Sequence, residues 1–179
     1  MSTQVQPDQR GSSDDPLPLQ ALRDITLRPG AFFAGLPRHR RVGRPALFAL
    51  VSIAVSTVLA WLATGTDDGL LRGLVIPFAF DLGFFAVYLV VTHAMVFALL
   101  RDRSAGLSGT FRILAYGQVS QLVNWLPTLG LVIGLVYGSV LAVLGVRRVH
   151  GASVAVAVSV VALPLVIALC LVAAVLIAG

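Results

Sequence analysis

The sequence predicts an all-α, polytopic integral membrane protein, a bundle of five transmembrane helices. Composition predicts it first: of 179 residues, 58% are hydrophobic and only 12% charged, where a soluble domain has roughly 45–50% apolar and about 25% charged residues. The mean hydropathy is +0.93. The second observation is that the apolar residues gather into long runs of about the 20 residues that span a bilayer. A soluble core of this size could not enclose them. The third is that basic residues flank these runs on alternate sides. A soluble enzyme, a nucleic-acid module and a disordered chain all fit this composition poorly.

Residues 1–18 are rich in Gln, Ser, Asp and Pro. They carry too little apolar surface to offset ordering entropy and read as a disordered cytoplasmic tail. Residues 19–44 read as a juxtamembrane amphipathic and basic segment. Leu19, Leu22 and Ile25 share a face before Pro29-Gly30 stops the helix. Phe32 and Phe33 follow, then Arg38, His39, Arg40, Arg41 and Arg44, a pattern expected to lie at the headgroups with the Phe pair as an anchor.

Five spans follow. The first is 45–63, closed by Thr64 to Gly69; the second is 73–100, interrupted only by Asp81 and His93. The second is too short to fold back as two crossings and reads as one long or tilted helix. The third, 111–126, is short and unusually polar; Pro127 separates it from the fourth, 128–146. Arg147 to Gly151 form a polar turn, with Gly151 as a helix-ending residue and Ser153 as the next N-cap. The fifth, 152–177, contains Pro164, a site for a kink.

Charge orients the bundle. The chain has no Lys and no Glu, and its net charge is +5. Arg28, Arg38, Arg40, Arg41, Arg44, Arg101, Arg103, Arg112, Arg147 and Arg148 fall on one side, and only Arg72, beside Asp67 and Asp68, on the other. The positive-inside rule puts the N-terminus in the cytoplasm and the C-terminus outside. Arg without Lys, with heavy Ala, Val, Leu and Gly use, points by codon chemistry to a GC-rich bacterial genome, hence a bacterial cytoplasmic membrane. Arg38, Arg40, Arg41 and Arg44 also fit anionic lipid headgroups. The pI near 10.7 therefore reads as topology rather than nucleic-acid binding.

Catalytic signatures are sparse. Without Lys there is no phosphate loop of the Walker type, and without Glu no His-Glu-x-x-His zinc helix. Three His and one Cys, Cys170, form no familiar metal centre or disulfide, and no cofactor is expected. Gly106-Leu107-Ser108-Gly109 has the shape of an intramembrane serine protease motif, with His150 on the same side as a base; Ser108 reads better as a helix N-cap. No enzymatic activity is expected.

The intramembrane carboxylate is the stronger signal. A carboxylate within a span costs roughly 2.5–3.5 kcal/mol on insertion scales, so Asp81 should face other helices or water. Tyr88 shares its face, while Tyr116, Ser120 and Asn124 recur every four residues on the third span with Gln121 beside them. Asp81 with Gln121 or Asn124 is expected to clasp the helices together; the alternative is an ion or proton path. On the fourth span Gly130, Gly134 and Gly138 form a groove for close packing, expected to receive the small face of the fifth span at Ala152, Ala155, Ser159 and Ala162.

Pro29-Gly-Ala-Phe32-Phe33, His93, Gly109-Thr110-Phe111-Arg112, Ala115-Tyr116-Gly117, Leu126-Pro127, Gly130 and Leu144-Gly145-Val146-Arg147-Arg148-Val149-His150-Gly151-Ala152-Ser153 stand in an order that resembles the Yip family of Ypt/Rab-interacting membrane proteins, especially its bacterial branch. The resemblance covers the chain from about Leu22 onward. It implies five membrane helices with a cytoplasmic N-terminus. Eukaryotic members bind prenylated Rab GTPases in vesicle traffic; bacterial membership implies no established activity. Gln118-Val119-Ser120 stands where many members have a Pro, and Val154 where a Lys is common, so no residue role is transferred. The expected role is a non-enzymatic, membrane-organising scaffold that contacts lipids or an unknown protein partner. The alternative is a small permease or channel component using Asp81 and the polar face of the third span.

Overall fold

The structure is a computed structural model and describes residues 16–36, 42–65, 69–101, 104–126 and 129–178. Among the described residues it is entirely helical. Most of the N-terminal tail, and Arg38, Arg40, Arg41, Asp67, Asp68, Asp102 and Arg103, lie outside them.

Two short helices open the fold, α1 (Pro18–Leu27) and α2 (Pro29–Ala34), each with Pro in its first turn, where the missing N–H costs no helical hydrogen bond. The long α3 (Gly43–Thr64) ends on Gly65 in the left-handed region. A π-turn (Leu71–Val75) leads into α4 (Ile76–Leu100). Then come α5 (Gly106–Gly117), a 3-10 segment (Gln118–Val123), α6 (Leu129–Val149) and α7 (Val154–Ala178). Gly151, with φ of 66°, ends the α6 turn, and the Ser153 hydroxyl accepts from the Val156 N–H at 3.4 Å to start α7.

Among the described residues three helices are long and apolar enough to cross a membrane: Gly43–Thr64, Leu71–Leu100 including the π-turn, and Leu129–Val149; α7 adds an apolar stretch over Val154–Ile167. In lipid each backbone polar group must be satisfied within its own segment, which is why apolar stretches of this length are helical. The third apolar run departs from one straight span over 111–126. Its helix starts earlier, at Gly106, and becomes a 3-10 helix after Gly117. Ser108 therefore sits in the first turn rather than at the N-cap, which is Ala105.

The principal core joins α1 and α2 to α5, α6 and α7, with Ile25, Phe33, Ile113, Tyr116, Leu141, Val146 and Val160 buried together. A second cluster packs Ala49 and Ile53 of α3 against Phe85 of α4 and Leu114 and Ala115 of α5. Phe33 is 1% exposed, and Phe32 meets the Tyr116 ring edge-on at 5.0 Å. The Phe pair expected among headgroups instead docks the N-terminal helices onto the bundle, because a protein surface offers aromatic rings closer packing than lipid chains do.

The glycine groove also takes a different partner. A Cβ at Gly130 would meet the Val123 carbonyl, one at Gly134 the Asn124 side chain, and one at Gly138 the Ser120 hydroxyl. The 118–124 segment fills the groove. Ala155, Ser159 and Ala162 of α7 are exposed, while Ala157, Val160 and Val161 turn inward.

Candidate functional site

Two polar centres sit inside this bundle. The first is a chain of hydrogen bonds linking α4, α5 and the turn after α6. The Ala105 N–H donates to His150 Nδ1 at 2.9 Å. That nitrogen is thus an acceptor, and in the neutral ring the proton sits on Nε2. Nε2 donates to Thr110 Oγ1 at 3.3 Å, and the hydroxyl passes its own hydrogen to His93 Nδ1 at 3.1 Å. His150 is 2% exposed. Burial, and next the nearby charge of His93, hold its pKa down at about 4. Gly109 permits the approach: a Cβ there would lie 3.2 Å from Val149 Cγ1 and 3.3 Å from His150 Cε1.

This geometry bears on the Gly-x-Ser-Gly motif. Both ring nitrogens of His150 are engaged, by Ala105 and Thr110, and neither by Ser108. No group of three His, Cys, Asp or Glu able to hold a metal occurs among the described residues.

The second centre is a cavity of about 360 Å³ between α3, the start of α4 and the segment after α5. Ser56, Thr57, Trp61 and Thr64 line it from α3, Arg72, Gly73, Pro77 and Asp81 from the π-turn and α4, and Gln121 and Asn124 from the third segment. Gly73, Pro77 and Asp81 follow at intervals of four and so share one helical face. Trp61 lies against Gly73, where any Cβ would collide with the indole.

Of the residues expected in a polar cluster, Asp81, Gln121 and Asn124 meet at this cavity, and Tyr88, Tyr116 and Ser120 lie elsewhere. Tyr116 is fully buried between Phe32 and Phe48. Tyr88 stacks on Phe84 at 6.2 Å, and Ser120 faces Gly138. The expected clasp is not made: among the described residues Asp81 has no hydrogen-bond partner. Gln121 Nε2 donates instead to Gln118 Oε1 at 2.7 Å, and its carbonyl accepts from Ser56 Oγ at 2.8 Å. The four-residue spacing misled because the chain changes to a 3-10 helix, with three residues per turn, after Gly117. Trp61, Thr57 and Thr64 were not foreseen as cavity residues; their spacing of four and three on one helix was the available signal.

The family model described as the Yip1 domain matches residues 23–176 of the chain. The chain belongs to the Yip1 domain family. Neither a curated protein nor a solved structure matches it. Membership makes it a membrane protein of the Yip family, and that domain is not a known enzyme family.

Proposed function

We propose that this Yip-family protein is a non-enzymatic organiser of its membrane, presenting a fixed cytoplasmic platform to lipids and to other membrane proteins. One observation carries the reading: the N-terminal helices are bolted to the bundle. Phe33 and Ile25 are buried in its core, and the Tyr137 hydroxyl donates to the Ile25 carbonyl at 3.3 Å. Leu19, Arg23, Asp24, Leu27 and Arg28 stay exposed on that platform. A rigid platform orders its contacts before a partner arrives, which lowers the entropy lost on binding.

The architecture proposed with it has five crossings, a cytoplasmic N-terminus and an external C-terminus, in a bacterial cytoplasmic membrane. Length supports the third crossing: the 12 residues of α5 and 6 of the 3-10 segment extend together about 30 Å, the hydrocarbon thickness, at about 1.5 and 2.0 Å per residue. Arg38, Arg40, Arg41 and Arg44 would add anionic-lipid contacts at the platform. Native mass spectrometry of protein extracted in mild detergent tests this. Wild type is expected to retain anionic lipids, and a variant with those four arginines changed to Gln is expected to lose them. Equal retention by both sinks the lipid part of the reading.

A second reading, a small permease or channel component, is favoured by Asp81, which lines the cavity without a hydrogen-bond partner among the described residues. Solute flux into proteoliposomes that disappears in Asp81→Asn while the melting temperature holds would support it.

A further inference from the structure

The depth of the N-terminal helices follows from what they touch. Tyr137, whose hydroxyl donates to the Ile25 carbonyl at 3.3 Å, stands ten residues before Arg147 on α6, about 15 Å along the axis. Tyr116, whose ring meets Phe32 at 5.0 Å, stands ten residues after Gly106 on α5, again about 15 Å. Two helices thus give one depth. Arg101, Arg147 and Arg148 close α4 and α6 at this end, where basic side chains meet the headgroups. The headgroup zone of one leaflet is only about 5–7 Å thick. The contacts of α1 and α2 therefore lie past it, at the level of the acyl chains.

The surroundings at that level agree. Val136 and Val140, which flank Tyr137, are 60% and 49% exposed, and the Ser139 hydroxyl is turned back on the Leu135 carbonyl at 2.8 Å. Polar groups facing lipid are satisfied within their own helix in this way. α1 does the same: the exposed Thr26 hydroxyl donates to the Leu22 carbonyl at 2.8 Å.

α1 has four sides. Ala21 and Ile25 are buried against the bundle. Leu19, Leu22 and Thr26, spaced three and four apart, form one flank, and Gln20 and Asp24 form the other. Arg23 and Leu27 stand between the flanks, opposite the buried side. Leu19 is 80% exposed. A helix with one apolar and one polar flank lies in the plane of a leaflet, the apolar flank toward the chains and the polar flank toward the headgroups. Arg23 and Arg28 outnumber Asp24, a balance that suits lipid phosphates, and long arginine stems reach up from an immersed backbone. A second copy on the same side about a two-fold axis would set Arg23 near its own mate, and like charges repel strongly in a low-dielectric seam.

We propose that α1 is embedded in the leaflet on the side of Arg147 and Arg148, and that its outer side is a docking surface for phospholipids. Acyl chains cover Leu19, Leu22 and Thr26, and phosphates meet Arg23 and Arg28. The inference rests on the platform reading above and deepens it by naming what covers the platform.

The test is nitroxide scanning of the full-length protein in vesicles of phosphatidylethanolamine and phosphatidylglycerol. In a Cys170→Ser background, which removes the sole cysteine, Leu19→Cys, Gln20→Cys, Asp24→Cys and Thr26→Cys are made singly and spin-labelled. Oxygen concentrates among acyl chains, and a nickel chelate stays in water. Oxygen is expected to relax the label more than nickel at positions 19 and 26, and the ratio is expected to reverse at 20 and 24. Nickel exceeding oxygen at all four overturns the inference, because α1 then stands in water. Low accessibility to both reagents at 19 and 26 overturns it too, because protein then covers the face. Arg23→Gln combined with Arg28→Gln is expected to raise nickel accessibility at position 19; an unchanged value overturns the phosphate contacts. Line shape separates the two readings. An immobilised spectrum with nickel in excess sinks this inference and leaves the fixed platform standing, whereas a narrow, mobile spectrum sinks both.

Discussion

At the scale of single residues, the His93–Thr110–His150 chain fixes a protonation state. His150 accepts a backbone hydrogen bond on Nδ1, so a second proton on its ring must displace that bond. The folded protein holds the ring neutral to about pH 4, against an ordinary value of 6.5. The unfolded chain therefore binds more protons between these values, and stability rises with pH there. The contribution is fully present above pH 6.5 and lost by about pH 4. Melting temperatures in detergent across that window are expected to decline in wild type and to decline less steeply in His150→Asn. Asp81 behaves oppositely. Among the described residues it has no hydrogen bond that Leu would break, so Asp81→Leu is expected to melt no lower than wild type because an unpartnered polar group is removed. A marked drop would restore the clasp.

At the scale of elements, the 3-10 segment decides how α5 and α6 meet. It brings Val123 and Asn124 against Gly130 and Gly134, a closeness that side chains on α6 would forbid. Substitution costs should follow what each new Cβ strikes. Gly130→Ala meets the fixed Val123 carbonyl, and Gly134→Ala meets the Asn124 amide together with the Ser120 carbonyl. Gly138→Ala meets only the end of the Ser120 side chain, 2.7 Å away, which can rotate. Losses of about 1–3 kcal/mol are expected for overpacking at the first two, and a smaller loss at Gly138. Thermal melts at several protein concentrations check this: a seam inside one chain gives concentration-independent shifts, and a dimer interface does not.

At the scale of the whole molecule, topology is the property to measure. With the arginine-rich loops in the cytoplasm, a cysteine at position 68 should react with an impermeant thiol reagent added outside intact cells, and one at position 102 should not. The reverse pattern inverts the bundle. The N-terminal platform makes a second whole-molecule expectation. Phe33 anchors α2 in the core, so Phe33→Ala should release α1 and α2 to protease while the membrane helices stay protected. Equal protease resistance in wild type and variant would mean that the platform is held by other contacts.

The sequence by itself determined the membrane class, the helical architecture and the family. Those follow from the length and polarity of each run, and lipid permits little besides helices to satisfy a backbone. It also marked Asp81, Gln121 and Asn124, because a polar residue in an apolar run stands out against its neighbours. Only the tertiary structure decided what these residues meet. A helical period of four carried Tyr116, Ser120 and Asn124 to one face on paper, but the change to 3-10 geometry at Gln118 sent them to an aromatic cluster, a glycine groove and a cavity. Phe32 and Phe33 look alike at a headgroup or in a core, since either place removes apolar area from water. Which helix covers the glycines, and whether Asp81 finds a partner, depend on the approach of segments distant in sequence, and no local pattern encodes that approach.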